Sequence, residues 1–169
     1  MLAIIVRTGD ASPGNVFYRP ASQSVTWIDW QLCCRGPPGF DLAQMMPLGL
    51  KIGLQPSDVT EATAMNERIV RAHWDAFVAA SADPETAAAL YTYEECWMDY
   101  RLGCILWAIL YTCPVVMTLP LLIQNKDEEG MAAWRTVFSR MMQCWVALDI
   151  VPLAEELLQQ VAQREAGAS

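Results

Sequence analysis

From Leu102 to Ile123 (LGCILWAILYTCPVVMTLPLLI) the chain runs for twenty-two residues without a charge. A segment of that length and character has two physical outlets: enclosure by other protein, or a bilayer. Pro114 and Pro120 are expected to break regular helix inside it. Its flanks carry Arg101 on one side and Lys126 beside Asp127, Glu128 and Glu129 on the other, which gives no positive-inside asymmetry. The favoured expectation is therefore a helix buried within a helical lobe, with a single membrane span through 102–123 as the alternative. The 54% apolar against 18% charged residues exclude a disordered chain, and 169 residues suit one domain or one lobe of a larger one. A formal charge of −8 argues against nucleic acid, which needs a basic footprint. The same charge leans weakly toward cationic substrates, although most of it is solvated surface.

Six cysteines (Cys33, Cys34, Cys96, Cys104, Cys113, Cys144) form no CxxC pair and have no histidine at ligand spacing, His73 being the only one. Structural zinc wants four nitrogen or sulfur ligands, so no zinc is expected. Most of these thiols sit in apolar stretches and read as small buried hydrophobes. The apolar run at Met1 to Val6 is too short for a signal peptide and ends at Arg7, so the expected compartment is a reducing cytoplasm.

Along the chain, Leu2 to Val6 reads as a short buried strand, and Asp10 to Asn15 as a loop turned by Pro13-Gly14. Asn15 to Arg19 and Val25 to Trp30 alternate as strands around a polar turn. Cys33 to Gly39 reads as irregular. Helical patterning then holds almost throughout, with start signals at Ser57 or Asp58 with Glu61, at Asp83-Pro84-Glu85, and at the capping box Thr92-x-x-Glu95. Residues 127–146 and 150–164 read as the last two helices, and 166–169 as a frayed tail.

Against this frame stand three acidic landmarks: Asp10 with Asn15 in TGDASPGN, Asp29 in IDWQ, and Asp41 in PGFDLAQMM. Asp10, on a loop between strand and turn, suits a base facing a hydroxyl; in any protein it also suits a turn-forming Asp. Asn15 offers an uncharged oxygen of the kind a hard cation takes beside phosphate oxygens, or simply ends a loop. Asp29 closes an apolar strand, where an unpaired carboxylate is costly and a metal partner is an attractive account. Asp41 sits at a helix start, where it is expected to cap the amides of Leu42 to Gln44 and to brace the acidic loop. His73 reads as a partly exposed helical residue, and Trp97, Trp107, Trp134 and Trp145 as core.

RTGDASPGNVFYRP followed by VTWIDWQLCCRGPPGFDLAQMM resembles the catalytic segment of the aminoglycoside phosphotransferase and choline kinase superfamily. Gln31 and the later YTYEECWMDYRLGCILWAIL and DEEGMAAWRTVFSRMMQCWVALDI are similar to its ecdysteroid-kinase-like branch. The resemblance implies an α+β, mostly α fold: the C-terminal lobe of a protein-kinase-like domain over residues 1–165, a small hairpin or sheet followed by five or six helices. It implies transfer of the ATP γ-phosphoryl group to the hydroxyl of a small molecule. Asp10 would be the catalytic base, Asn15 and Asp29 the Mg²⁺ ligands on the nucleotide side, and Asp41 with Thr8 the structural support. Thr8-Gly9-Asp10 replaces the family's His-Gly-Asp. No glycine-rich strand-turn-strand, strand lysine or partner glutamate precedes Met1, so the chain looks like half a kinase, expected to be inactive alone. A non-catalytic binding or scaffold remnant is the competing class. An uncovered lobe face around Val16, Phe17, Trp27 and Ile28 is expected to promote self-association.

Overall fold

The computed structural model describes residues 5–49 and 58–167. Their element order is β1 (Ile5–Arg7), a 3-10 turn (Pro13–Asn15), β2 (Val16–Arg19), β3 (Ser24–Trp27) and β4 (Cys34–Gly36). Six helices follow: α1 (Gly39–Gly49), α2 (Val59–Ala80), α3 (Pro84–Leu90), α4 (Tyr93–Gln124), α5 (Glu128–Ala147) and α6 (Ile150–Gly167). The chain is thus mostly helical with a small N-terminal β region. β2 and β3 form an antiparallel hairpin in the register Val16↔Trp27 to Arg19↔Ser24. β1 pairs antiparallel with β4, Arg7 facing Cys34. The residues expected to be irregular therefore include a strand, because Cys34–Gly36 is held by its pairing rather than by any alternation of its own. Of the strand expected at Leu2 to Val6, Leu2, Ala3 and Ile4 lie outside the described residues, as do Ser57, Ala168 and Ser169.

Helix starts are fixed by their own side chains. Asp58 accepts from the Glu61 amide and Asp83 from the Thr86 amide, with Pro84 at the first helical position. Thr92 and Glu95 close the expected capping box, each side chain accepting the other's backbone N–H. α6 runs to Gly167, three residues past its expected end, so Ala166 and Gly167 are helical.

α4 packs most heavily on α1 and carries the core. Ala43, Met65, Val70, Tyr91, Cys96, Tyr100, Cys104, Leu148 and Ile150 form one buried cluster, with Trp97, Trp107 and Trp145 packed against it. Its polar members are paired: the Tyr100 hydroxyl bonds Asn66 Oδ1 (2.5 Å), and the Tyr91 hydroxyl donates to Asp99 Oδ2 (2.8 Å). Arg101 ties the turn before α6, donating to the carbonyls of Leu148 and Asp149.

The uncharged segment departs from expectation in two ways. α4 is one continuous helix through Pro114 and Pro120, each of which removes one backbone donor from it. Its enclosure is also partial. Cys104 and Ala108 are buried, whereas Ile109, Leu110, Met117, Leu121 and Ile123 are exposed. The first turns of the segment belong to the core and the later ones present an apolar surface. Among the described residues no helix is long and apolar enough to cross a membrane.

Candidate active site

Asp41 organises the N-terminal loop. One carboxylate oxygen accepts from the Thr8 amide (2.7 Å) and the Thr8 hydroxyl (3.0 Å), and the other from the Gly9 amide (3.3 Å). This corrects the expectation that Asp41 caps Leu42 to Gln44. α1 begins two residues earlier, at Gly39, so Asp41 lies within the first turn and its side chain is spent on a loop thirty-three residues away. Thr8 is buried, and its hydroxyl makes a tertiary bond rather than a local one. Gly9 turns the chain at φ +74°, with the Leu32 carbonyl so close that a Cβ would lie 2.0 Å from its oxygen.

The turn delivers Asp10 to two amide side chains. Asn15 Nδ2 donates to Asp10 Oδ2 and to the Asp10 carbonyl, both at 3.0 Å. Gln44 Nε2 donates to Asp10 Oδ1 at 2.6 Å. Both carboxylate oxygens are thereby oriented. Because two acceptors face the Asn15 nitrogen, the amide orientation is fixed and Oδ1 is the atom left for a cation. The Ile28 amide donates to the Asn15 carbonyl (3.0 Å), which ties the end of β3, and so Asp29 one residue later, to the same loop.

Asp29 has left-handed backbone (φ 58°) and is exposed. Its carboxylate is solvated, against the expectation of a costly burial at a strand end, because β3 already ends at Trp27. It follows Ile28, whose amide bonds the Asn15 carbonyl, and its side chain shows no hydrogen bond or ion pair among the described residues. Asn15 Oδ1 and the exposed Asp29 carboxylate are each a hard oxygen donor of the kind Mg²⁺ takes. Among the described residues no group of three or more His, Cys, Asp and Glu side chains forms a fuller cage.

Gln44 is the site residue that sequence reasoning missed. It is 3% exposed, and its Oε1 is enclosed without a hydrogen-bond partner among the described residues. A polar residue one turn into an amphipathic helix reads as solvent-facing, and only the Asp41 clamp brings Asp10 within its reach. His73 also belongs to this neighbourhood. Burial pushes its imidazole below its ordinary value, opposed by a hydrogen bond to the Pro38 carbonyl and by the Asp41 charge. Nε2 is enclosed and has no hydrogen-bond partner among the described residues, so the proton that acid adds finds no acceptor there among them. A depressed pKa means the unfolded chain binds the proton first. Stability should be full above about pH 6.5 and fall as pH drops from there through the folded-state value. Urea midpoints at about pH 7.5 and about pH 5.5 test this, and His73→Gln should flatten the difference.

Trp30 and Gln31, candidates for a nucleotide or substrate edge, are both exposed, and Trp30 Nε1 donates to the Trp27 carbonyl. A cavity of about 450 Å³ elsewhere is lined by Ile105, Ile109, Trp145, Ile150, Val151 and Leu158, among others, and takes no residue from the acidic cluster. Comparison with protein-family models, curated proteins and solved structures finds no match for the chain.

Proposed function

We propose that the Asp10–Asn15–Asp29 cluster is the acceptor and metal side of an ATP-dependent phosphotransferase that acts on the hydroxyl of a small molecule. In this reading the chain is a C-terminal kinase-like lobe of the aminoglycoside phosphotransferase and choline kinase superfamily, ecdysteroid-kinase-like branch. One observation carries it: Asp41 binds the Thr8–Gly9 turn by three hydrogen bonds and thereby sets Asp10 against Asn15. Asp10 takes or aligns the acceptor's proton. Asn15 Oδ1 and the Asp29 carboxylate would hold Mg²⁺, which when bound neutralises charge on the transferring phosphates. Thr8, Gly9, Asp41 and Gln44 keep Asp10 in place.

In this reading a strand lysine would hold the phosphates, and no strand carries a lysine among the described residues. Of the two lysines, Lys51 lies outside them and Lys126 follows α4, away from the acidic loop in the chain. Since phosphoryl transfer depends on positioning, turnover by this chain alone is expected to be negligible. Binding is the appropriate test. Equilibrium dialysis with MgATP should show a dissociation constant of about 1 mM, weakened several-fold by Asp29→Asn. Equal binding by the two proteins would remove the assignment.

A non-catalytic interaction module is the second reading, favoured by the apolar surface of Ile109, Leu110, Met117, Leu121 and Ile123 on α4 and of Val151, Leu158 and Val161 on α6. On the hairpin, Phe17 and Ile28 of the face expected to promote self-association are exposed, as are Tyr18 and Val25, while Val16 and Trp27 are half-buried. On that reading the same dialysis shows no MgATP retention by either protein.

A further inference from the structure

We propose that Cys34 and Cys33 form a thiol–disulfide exchange pair, with Cys34 as the attacking sulfur and an anionic low-molecular-weight disulfide as its reaction partner. The two thiols are adjacent and both exposed, unlike Cys96 and Cys104, which are buried in the core. Arg7 faces Cys34 across the β1–β4 pair, and its Nε–H donates to Cys34 Sγ at 3.3 Å. The guanidinium is held there from two further sides. Its Cζ stands 5.2 Å from the centroid of the Phe40 ring, the distance of a cation–π contact. Gly36, two residues beyond Cys34, leaves the space its stem crosses: a Cβ there would lie 2.8 Å from Arg7 Nε and 2.9 Å from Cδ. An exposed thiol beside a fixed cation is a feature that reactive redox cysteines share, and here a second exposed thiol is next in the chain.

The partner's charge follows from the surroundings. Arg7 touches the sulfur and Arg35 is the next residue, exposed, in a chain whose formal charge is −8. The carboxylates of Asp10 and Asp41 are turned onto Asn15, Gln44, Thr8 and Gly9, which leaves exposed Asp29 as the one carboxylate of the β3–β4 loop against two arginines. A disulfide bearing carboxylates is therefore favoured over a cationic one. In the first step the Cys34 sulfur, its proton lost to solvent, attacks one sulfur of the small disulfide. That S–S bond breaks, a mixed disulfide forms, and the leaving thiolate takes up a proton. In the second step Cys33 attacks the Cys34 sulfur, a disulfide joins the two cysteines, and the second small thiol leaves. The small disulfide is the sole oxidant, and two electrons pass from the cysteine pair to it. A disulfide between neighbouring residues is strained and exposed, which places it among the readily reduced ones.

The experiment treats the reduced full chain with oxidised glutathione as the anionic probe and cystamine as the cationic one, and follows products by peptide mapping. The first adduct is expected at Cys34, followed by release of the second glutathione as the Cys33–Cys34 disulfide closes. In Cys33→Ser the mixed disulfide at Cys34 should persist. Arg7→Gln should slow the first step about tenfold. Gly36→Ala, which displaces the guanidinium without removing its charge, should slow it too, and keeps the test readable should Arg7→Gln fail to fold. Oxidised glutathione should outpace cystamine at low salt, with the margin shrinking as salt is added. First modification at another cysteine, an unchanged rate in the folded arginine or glycine variant, or equal rates with the two probes at low salt would each overturn the proposal.

Discussion

Asp41→Ala is expected to remove about 3 to 5 kcal/mol of folding stability, the sum of hydrogen bonds to a charged group at roughly 1.5 to 3 kcal/mol each less what water recovers. The Thr8 amide, the Thr8 hydroxyl and the Gly9 amide lose their acceptor together, and Thr8 is buried, so the freed donors stay poorly solvated. Asp41→Asn retains one oxygen and should lose about half as much. Urea denaturation reads both values. A loss below about 1 kcal/mol in the alanine variant would mean the loop is held by something other than this clamp. The same variant should collapse the chemical-shift dispersion of residues 8–15 while leaving the α2 and α3 caps intact, because those rest on Asp58 and Asp83.

Gly9→Ala should be comparably severe, at about 3 to 5 kcal/mol, for a reason unrelated to lost bonds. The new Cβ would lie 2.0 Å from the Leu32 carbonyl oxygen and 2.7 Å from its carbon, and backbone cannot step aside as a flexible side chain does. The left-handed conformation adds roughly 1 to 2 kcal/mol for any L-residue with a side chain. Gly14→Ala is the internal control. Its nearest neighbour would be Ser12 Oγ at 3.7 Å, an ordinary contact, so a change within about 0.5 kcal/mol is expected. Equal effects at the two positions would contradict the described path of the loop past Leu32.

What was legible in the sequence was local. Asp58, Asp83 and the Thr92–Glu95 box mark helix starts because each cap is satisfied within three residues, and all three are observed. The β2–β3 hairpin was legible for a similar reason, as alternation around a polar turn. β4 was not, because three residues with Arg and Gly show no period and are ordered by pairing with β1. The course of α4 was misjudged at Pro114 and Pro120, where the helix continues without two of its backbone donors. In the site, Asp10 and Asn15 meet as their spacing suggests. Gln44 reaches Asp10 across thirty-four residues, and Asp41 turns from its own helix to Thr8 and Gly9, which only the tertiary path of the loop can specify. Asp29 was misplaced: it lies two residues past the end of β3 with left-handed backbone and is exposed, not at the end of a buried strand.

The central claim is that Asn15 and Asp29 form a divalent-cation site beside Asp10, and Mn²⁺ titration of the full chain tests it most directly. Paramagnetic broadening of amide signals should begin at residues 10–15 and 28–30, saturate at about millimolar metal, and be lost in Asp29→Asn, since a hard cation with few protein ligands depends strongly on each carboxylate. Addition of ATP should shift saturation to lower metal concentration, because phosphate oxygens complete the coordination shell. Broadening that survives Asp29→Asn unchanged, or that centres on the acidic turn at Asp127 to Glu129, would contradict the account.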